Sequence, residues 1–143
     1  MAYVIAKATV WAGDVLNRPG RLARVFEALA AAGANLEFVV ARRVSANTSR
    51  VFVAPLSTVR QRRAATDVGL VPADRMHVLR IDGPNRAGLG ATVTRATADA
   101  GINLRGFSGA VIGTKLVCYL AFESDSDAGL ALRAVRKSLA GPR

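Results

Sequence analysis

Apolar positions along this chain alternate, then recur at helical spacing, then alternate again, and the whole order is written twice. Tyr3 to Trp11 is apolar and β-branched with some alternation, which predicts a strand. Leu22, Val25, Phe26 and Leu29 follow at i, i+3, i+4 and i+7, one helical face aimed at a core. Leu36 to Val44 predicts a second strand, polar Ser45 to Ser49 a turn, and Arg50 to Pro55 a third strand. Ser57 to Ala65 reads as a short polar helix, with Val68 to Val71 a brief fourth strand ahead of Pro72. Met76 to Ile81 then restarts the order as a strand, and Gly88 to Ala100 is a helix with Leu89, Val93, Ala96 and Ala100 on its apolar face. Leu104 to Ile112 is a strand, Gly113-Thr114 a turn, and Lys115 to Phe122 another strand that is apolar on both faces. A strand buried on both faces needs helices on one side and a second cover on the other. Ala128, Ala131, Leu132, Val135 and Leu139 mark a closing helix.

The order is therefore βαββαβ followed by βαββα. The second copy lacks its last strand, so its sheet keeps an open edge or borrows a strand, and the long first strand is one candidate donor.

The repeat is visible in the residues themselves. Asn17 to Leu36 and Asn85 to Leu104 overlay without a gap at a separation of 68 residues, with 11 of 20 positions identical. Both copies open a helix at Asn-Arg-x-Gly and leave it at Gly-x-Asn-Leu. Asn17 is expected to cap its helix, Pro19 to sit in the first turn, and Gly33 to take a positive φ at the helix end. Gly20 is expected to allow close approach to the backbone. The first N–H groups of each helix are unpaired, carry partial positive charge and suit a carboxylate or phosphate. Arg18 could add a charge-assisted contact.

Composition narrows the class. The chain has 143 residues, 51% hydrophobic and 21% charged, which points to a packed globule rather than disorder. A 68-residue repeat exceeds solenoid periods of about 20–50 residues and suits two small α+β units. Such small units are expected to pair side by side or dimerise to bury enough core. No apolar run reaches the ~18 residues of a membrane span, and no secretory signal pattern opens the sequence. A single cysteine, Cys118, fits a reducing, cytoplasmic setting. The net charge of +10 is spread over both copies, with one local cluster at Arg60, Arg62 and Arg63. Nucleic-acid arms concentrate such charge in one block.

A βαββαβ unit whose helix opens at Asn17-Arg18-Pro19-Gly20-Arg21-Leu22 and closes at Ala32-Gly33-Ala34-Asn35-Leu36 resembles the ACT domain, a small regulatory module. That family is typified by an Asp-Arg-Pro-Gly-x-Leu opening and a Gly-Ile-Asn-Ile exit. Ala100-Gly101-Ile102-Asn103-Leu104 matches the exit closely. Asn17 stands where the family has Asp, and the second opening has Ala87 for Pro and Gly90 for the helical Leu. The resemblance implies an α+β chain of two ferredoxin-like βαββαβ units, residues 1–74 and 75–143, packed side by side as a stand-alone tandem pair. It also implies a ligand site at Asn17, Arg18, Pro19, Gly20, Arg21, Leu22, Asn35 and Leu36. Asn85, Arg86, Gly88, Leu89, Asn103 and Leu104 would form a weaker twin. The same residues also make a good helix start and stop with no ligand at all, so both readings stand at this level.

Other chemistry finds little support. His77 has no sequence partner for a triad, Cys118 lies in an apolar strand, and neither Cys/His metal spacing nor a phosphate-binding Gly-Lys-Ser/Thr loop is present. Trp11, Phe38, Phe52 and Phe107 read as core or interface aromatics. The expected function is a regulatory module, not an enzyme, without cofactor. It would bind a small molecule, an amino acid by resemblance, and associate with itself as a homodimer or higher oligomer or with a partner enzyme. Three alternatives stand beside it. One is a ligand-free ACT assembly scaffold. Another is an acylphosphatase-like hydrolase, which shares the strand order but whose Gly-x-Val-Gln-Gly-Val loop is missing here. The last is a nucleic-acid-binding ferredoxin-like protein, for which the paired stacking aromatics are absent.

Overall fold

The computed structural model describes residues 3–140; Met1, Ala2 and Gly141 to Arg143 lie outside them. In chain order the elements are β1 (Val4–Ala8), β2 (Trp11–Leu16), α1 (Arg21–Ala31), β3 (Phe38–Arg43), β4 (Thr48–Ala54), α2 (Val59–Asp67), β5 (Val71–Pro72), β6 (His77–Pro84), α3 (Leu89–Asp99), β7 (Gly106–Ile112), β8 (Lys115–Phe122) and α4 (Asp125–Leu139). They form two antiparallel four-stranded sheets, ordered β3-β4-β2-β5 and β1-β6-β8-β7. The fold is α+β, built of two ferredoxin-like units of ACT type.

The first unit is Thr9–Ala73. Its core holds Trp11, Val25, Leu29, Val51, Val53, Leu56, Ala65 and Leu70, with Leu22, Phe26 and Leu36 packed against it. The expected face of α1 is therefore the one it buries. The chain predicted as one strand from Tyr3 to Trp11 is in fact two, and β2 continues to Leu16. Ala12-Gly13-Asp14 looks turn-like in sequence, yet Gly13 is buried mid-strand because the backbone of Gly69 runs against it. A Cβ there would sit 2.5 Å from the Gly69 carbonyl oxygen.

The second unit consists of Asp74 onward together with β1. A cut between residues 74 and 75 would leave β1 with the first copy, but its ladder runs entirely along β6, from Val4 opposite Asp82 to Ala8 opposite Val78. β1 thus takes the fourth-strand place that the second copy lacks. Ile5 enters a core of Leu79, Ile81, Leu89, Val93, Ile102, Cys118, Leu120, Phe122, Ala128, Ala131, Val135 and Leu139. Lys7 Nζ donates to Asp125 at 2.8 Å, and Arg136 donates to the Ile5 carbonyl at 3.4 Å. On β8, Cys118, Leu120 and Phe122 face the helices, while Tyr119 and Ala121 on the opposite face are also buried.

The α3 face differs in one position from the expected set. Thr97 is buried and Ala100 is exposed, and the threonine tolerates burial because its hydroxyl donates to the Thr94 carbonyl at 2.9 Å.

Candidate functional site

The repeated motif residues occupy the two ends of α1 and α3. Asn17 does not cap α1. The residue before the helix is Gly20, with φ 86° and no side-chain cap, and its counterpart Gly88 has φ 84°. These glycines serve a left-handed backbone rather than a close approach, since a Cβ at either would meet nothing within 4 Å. Asn17 instead ties its loop to the β3–β4 turn. Its N–H donates to Asn47 O at 2.8 Å and its Nδ2 to Ala46 O at 3.4 Å. Asn85 N–H makes the matching bond to Thr114 O at 2.9 Å. Pro19 lies in the loop, ahead of the first helical turn.

The first α-type bonds run from Arg24 N to Gly20 O and from Thr92 N to Gly88 O. The N–H groups of Leu22 and Ala23, and of Gly90 and Ala91, consequently find no acceptor among the described residues. Around them Asn17, Arg18, Pro19, Gly20 and Arg21 are all exposed, as are Asn85, Arg86 and Gly88. The Arg18 and Arg21 side chains make no hydrogen bond, ion pair or ring contact among the described residues. Arg86 differs, because its guanidinium lies 6.0 Å from the centre of the Tyr3 ring, whose hydroxyl donates to Pro84 O at 2.6 Å. Nothing in the repeat pointed to Tyr3, which stands 83 positions from Arg86 and arrives through β1.

At the other helix end Gly33 and Gly101 have φ 82° and 76°. Gly33 N bonds Ala30 O, Ala34 N bonds Leu29 O, and Gly101 and Ile102 repeat the pair with Ala98 and Thr97. This closes the last turn through a left-handed glycine. Asn35 and Asn103 follow, exposed, and their amides make no hydrogen bond among the described residues. The leucines of the motif face inward: Leu22 and Leu36 pack on one core, Leu104 on the other, and Leu89 is 2% exposed within it.

Within either unit the helix mouth and the exit asparagine are not brought together. An 11-residue helix separates them by about 16 Å. The acyl-phosphate reading needed Arg18 and Asn35 on one anion, and that spacing does not supply it.

Elsewhere, His77 is the half-buried first residue of β6, and burial pushes the Cys118 thiol above its ordinary range. Trp11 is core, whereas Phe107 is 44% exposed. Among the described residues no group of three His, Cys, Asp or Glu side chains could hold a metal ion. No helix among them is long and apolar enough to cross a membrane.

Two ferredoxin-like sheets, each with an Asn-Arg-x-Gly mouth and a Gly-x-Asn exit, define a tandem pair with an ACT-type fold. Neither a protein-family model nor a curated protein sequence matches the chain. Solved structures do share its fold. The regulatory subunit of aspartate kinase from Thermus thermophilus, in its ligand-free form, is similar with a TM-score of 0.67 at 18% identity, over 96% of this chain and 97% of that one. A protein from Bacteroides thetaiotaomicron has a TM-score of 0.78 at 17% identity, over 92% and 90% of the two chains. Aspartokinase III from E. coli, in complex with aspartate and ADP, is matched over 96% of this chain but 33% of its own, with a TM-score of 0.55 at 14% identity.

Proposed function

We propose that the chain is a regulatory module that binds an amino acid at its helix mouths and passes that event on through association with itself or with a partner enzyme. The observation that carries this is the repetition of unused donors. Both copies keep an exposed mouth with two unpaired N–H groups and an exit asparagine whose amide is unengaged. Such groups suit the carboxylate and ammonium of a zwitterion. A ligand touching both a mouth and an exit has to be held by more than one ACT-type unit, so its binding favours one association state over another. The similar structures support the reading: one is a regulatory subunit and one is held with aspartate. The match to a regulatory subunit over 97% of its length supports reading the module as non-catalytic.

A thermal-shift screen of the twenty amino acids tests it. A ligand at a hundredfold its Kd adds about 2.7 kcal/mol to the folded state and raises Tm accordingly. The rise should disappear in Asn35→Ala and persist in Asn103→Ala, because the second opening departs further from the motif. A screen with no hit, on a chain that nonetheless sediments as an oligomer, would leave the assembly-scaffold reading. That reading has its own support, since the glycines and leucines of both motifs are explained by helix ends and core packing.

A further inference from the structure

The two copies differ in charge where the end of the β3–β4 hairpin corresponds to the end of the β7–β8 hairpin. In the first unit Arg42 stands directly opposite Arg50, and Arg50 opposite Asp14. The same three places in the second unit are Ala110, Val117 and Asp82. Arg43, the neighbour of Arg42, corresponds to Val111. Like charges opposed across a ladder are destabilising, so the first copy keeps a feature that its own folding does not favour.

The arginines are only partly satisfied. Arg50 NH1 meets Asp14 at 2.9 Å and its guanidinium lies 5.5 Å from the centre of the Phe52 ring. Arg43 Nε donates to Ser45 O at 3.2 Å. Arg42 is exposed and makes no contact of this kind among the described residues. The bond from Asn17 to Asn47 brings the loop of Arg18 to the same hairpin, adding a second unengaged guanidinium. β3 pairs only with β4 and so is an edge of its sheet. Exposed Val39 and Val44 flank Arg42 and Arg43 along that edge.

We propose that the β3 edge of the Thr9–Ala73 unit docks an extended acidic segment of a partner protein, which adds a strand and places its carboxylates on the face shared by Arg42 and Arg50. Strand addition takes affinity from main-chain hydrogen bonds and specificity from alternate side chains. Here Arg42 and Arg50 share one face of the sheet while Val39 and Ala41 lie on the other, which fits a segment with acidic residues on one face and apolar residues on the other. A second copy of this chain fits less well. It carries a net charge of +10, and five of its ten acidic residues, Asp14, Asp82, Asp99, Glu123 and Asp125, are already paired with Arg50, Arg80, Arg95, Arg105 and Lys7. Nucleic acid lacks a stacking platform here, because Phe52 is half-buried beneath Arg50. The inference names the partner chemistry for the association half of the proposed function and stands independently of ligand binding at the mouths.

The test is fluorescence anisotropy of a labelled peptide alternating glutamate and valine, added to the full chain at low salt without amino acids. A peptide with glutamine for glutamate and a single-stranded oligonucleotide of equal charge serve as competing probes. The glutamate peptide should bind, weaken with salt, and lose about tenfold in affinity in Arg42→Glu. Arg133→Glu, an equal charge change at an exposed site on α4, should leave binding unchanged. Amide exchange in β3 should slow when the peptide is present. No binding of the glutamate peptide, equal binding of the glutamine peptide, or equal loss in Arg133→Glu would overturn the proposal. So would an oligonucleotide that binds tighter than the peptide and depends on Arg42. A self-associated wild-type chain that Arg42→Glu converts to monomer would overturn it in favour of a second copy. A failed amino-acid screen alongside peptide binding would remove ligand sensing and leave this surface in place.

Discussion

A methyl group on Gly13 would lie 2.5 Å from the Gly69 carbonyl oxygen and 2.8 Å from a methyl of Leu70, while one on Gly20 would touch nothing but sit at φ 86°. The two glycines are required for different reasons, and the costs of replacing them should differ. Gly20→Ala forces a side chain into left-handed backbone, a cost of about 1–2 kcal/mol in urea denaturation, and Gly88→Ala should match it. Gly13→Ala must instead displace backbone in a filled core, and should lose at least as much, up to about 3 kcal/mol. Equal stability of wild type and Gly13→Ala would mean that the Gly69 loop is free to retreat. Gly20→Asn should be milder than Gly20→Ala, because asparagine tolerates the left-handed region better.

At the scale of the element, β1 is fastened by a contact that senses acid. The Lys7 ammonium, first by its hydrogen bond and then by its charge, holds the Asp125 carboxyl below its ordinary value of 3.8, with His77 adding a smaller pull. Asp125 therefore binds its proton more weakly in the folded chain than in the unfolded one. The contact contributes fully above pH 3.8 and is lost as pH falls through the lower folded value. Amide exchange in β1, followed by NMR from pH 6 to pH 3, should accelerate relative to β6 and β8. Lys7→Met should remove that differential change.

The same elements show what a sequence can disclose. α1 and α3 were legible because their apolar spacing and left-handed glycine exits are local signals, and β8 because its run is unbroken. β2 was missed because Ala12-Gly13-Asp14 imitates a turn, and only the approach of Gly69 explains a glycine in that strand. Asn17 looked like a cap because its residue type suits one. Its actual partners, Ala46 and Asn47, lie across a hairpin that no local pattern predicts. The contact of Arg86 with Tyr3 depends on the path of β1 and was beyond reach for the same reason.

For the whole molecule, the decisive feature is that one unit is continuous in sequence and the other is not. A chain shortened by residues 3–8 should keep the dispersed amide resonances of Thr9–Ala73. It should lose cooperative packing in the rest, because Ile5 leaves the core and β6 gains an open edge. Moving those residues behind α4 on a short glycine-serine linker should restore it, as the strand would then follow its helix as β5 follows α2. If the shortened chain held both sets of resonances, β1 would be a passenger rather than a structural strand. The arrangement also sets a schedule for biosynthesis. On the ribosome β1 emerges well before β6, and at about 5–20 residues per second it must travel for several seconds with no strand to pair with. The Thr9–Ala73 sheet can form meanwhile, so the nascent chain carries a finished fold behind an unpaired strand, and anything that captures that strand in the interval would stall only the later half.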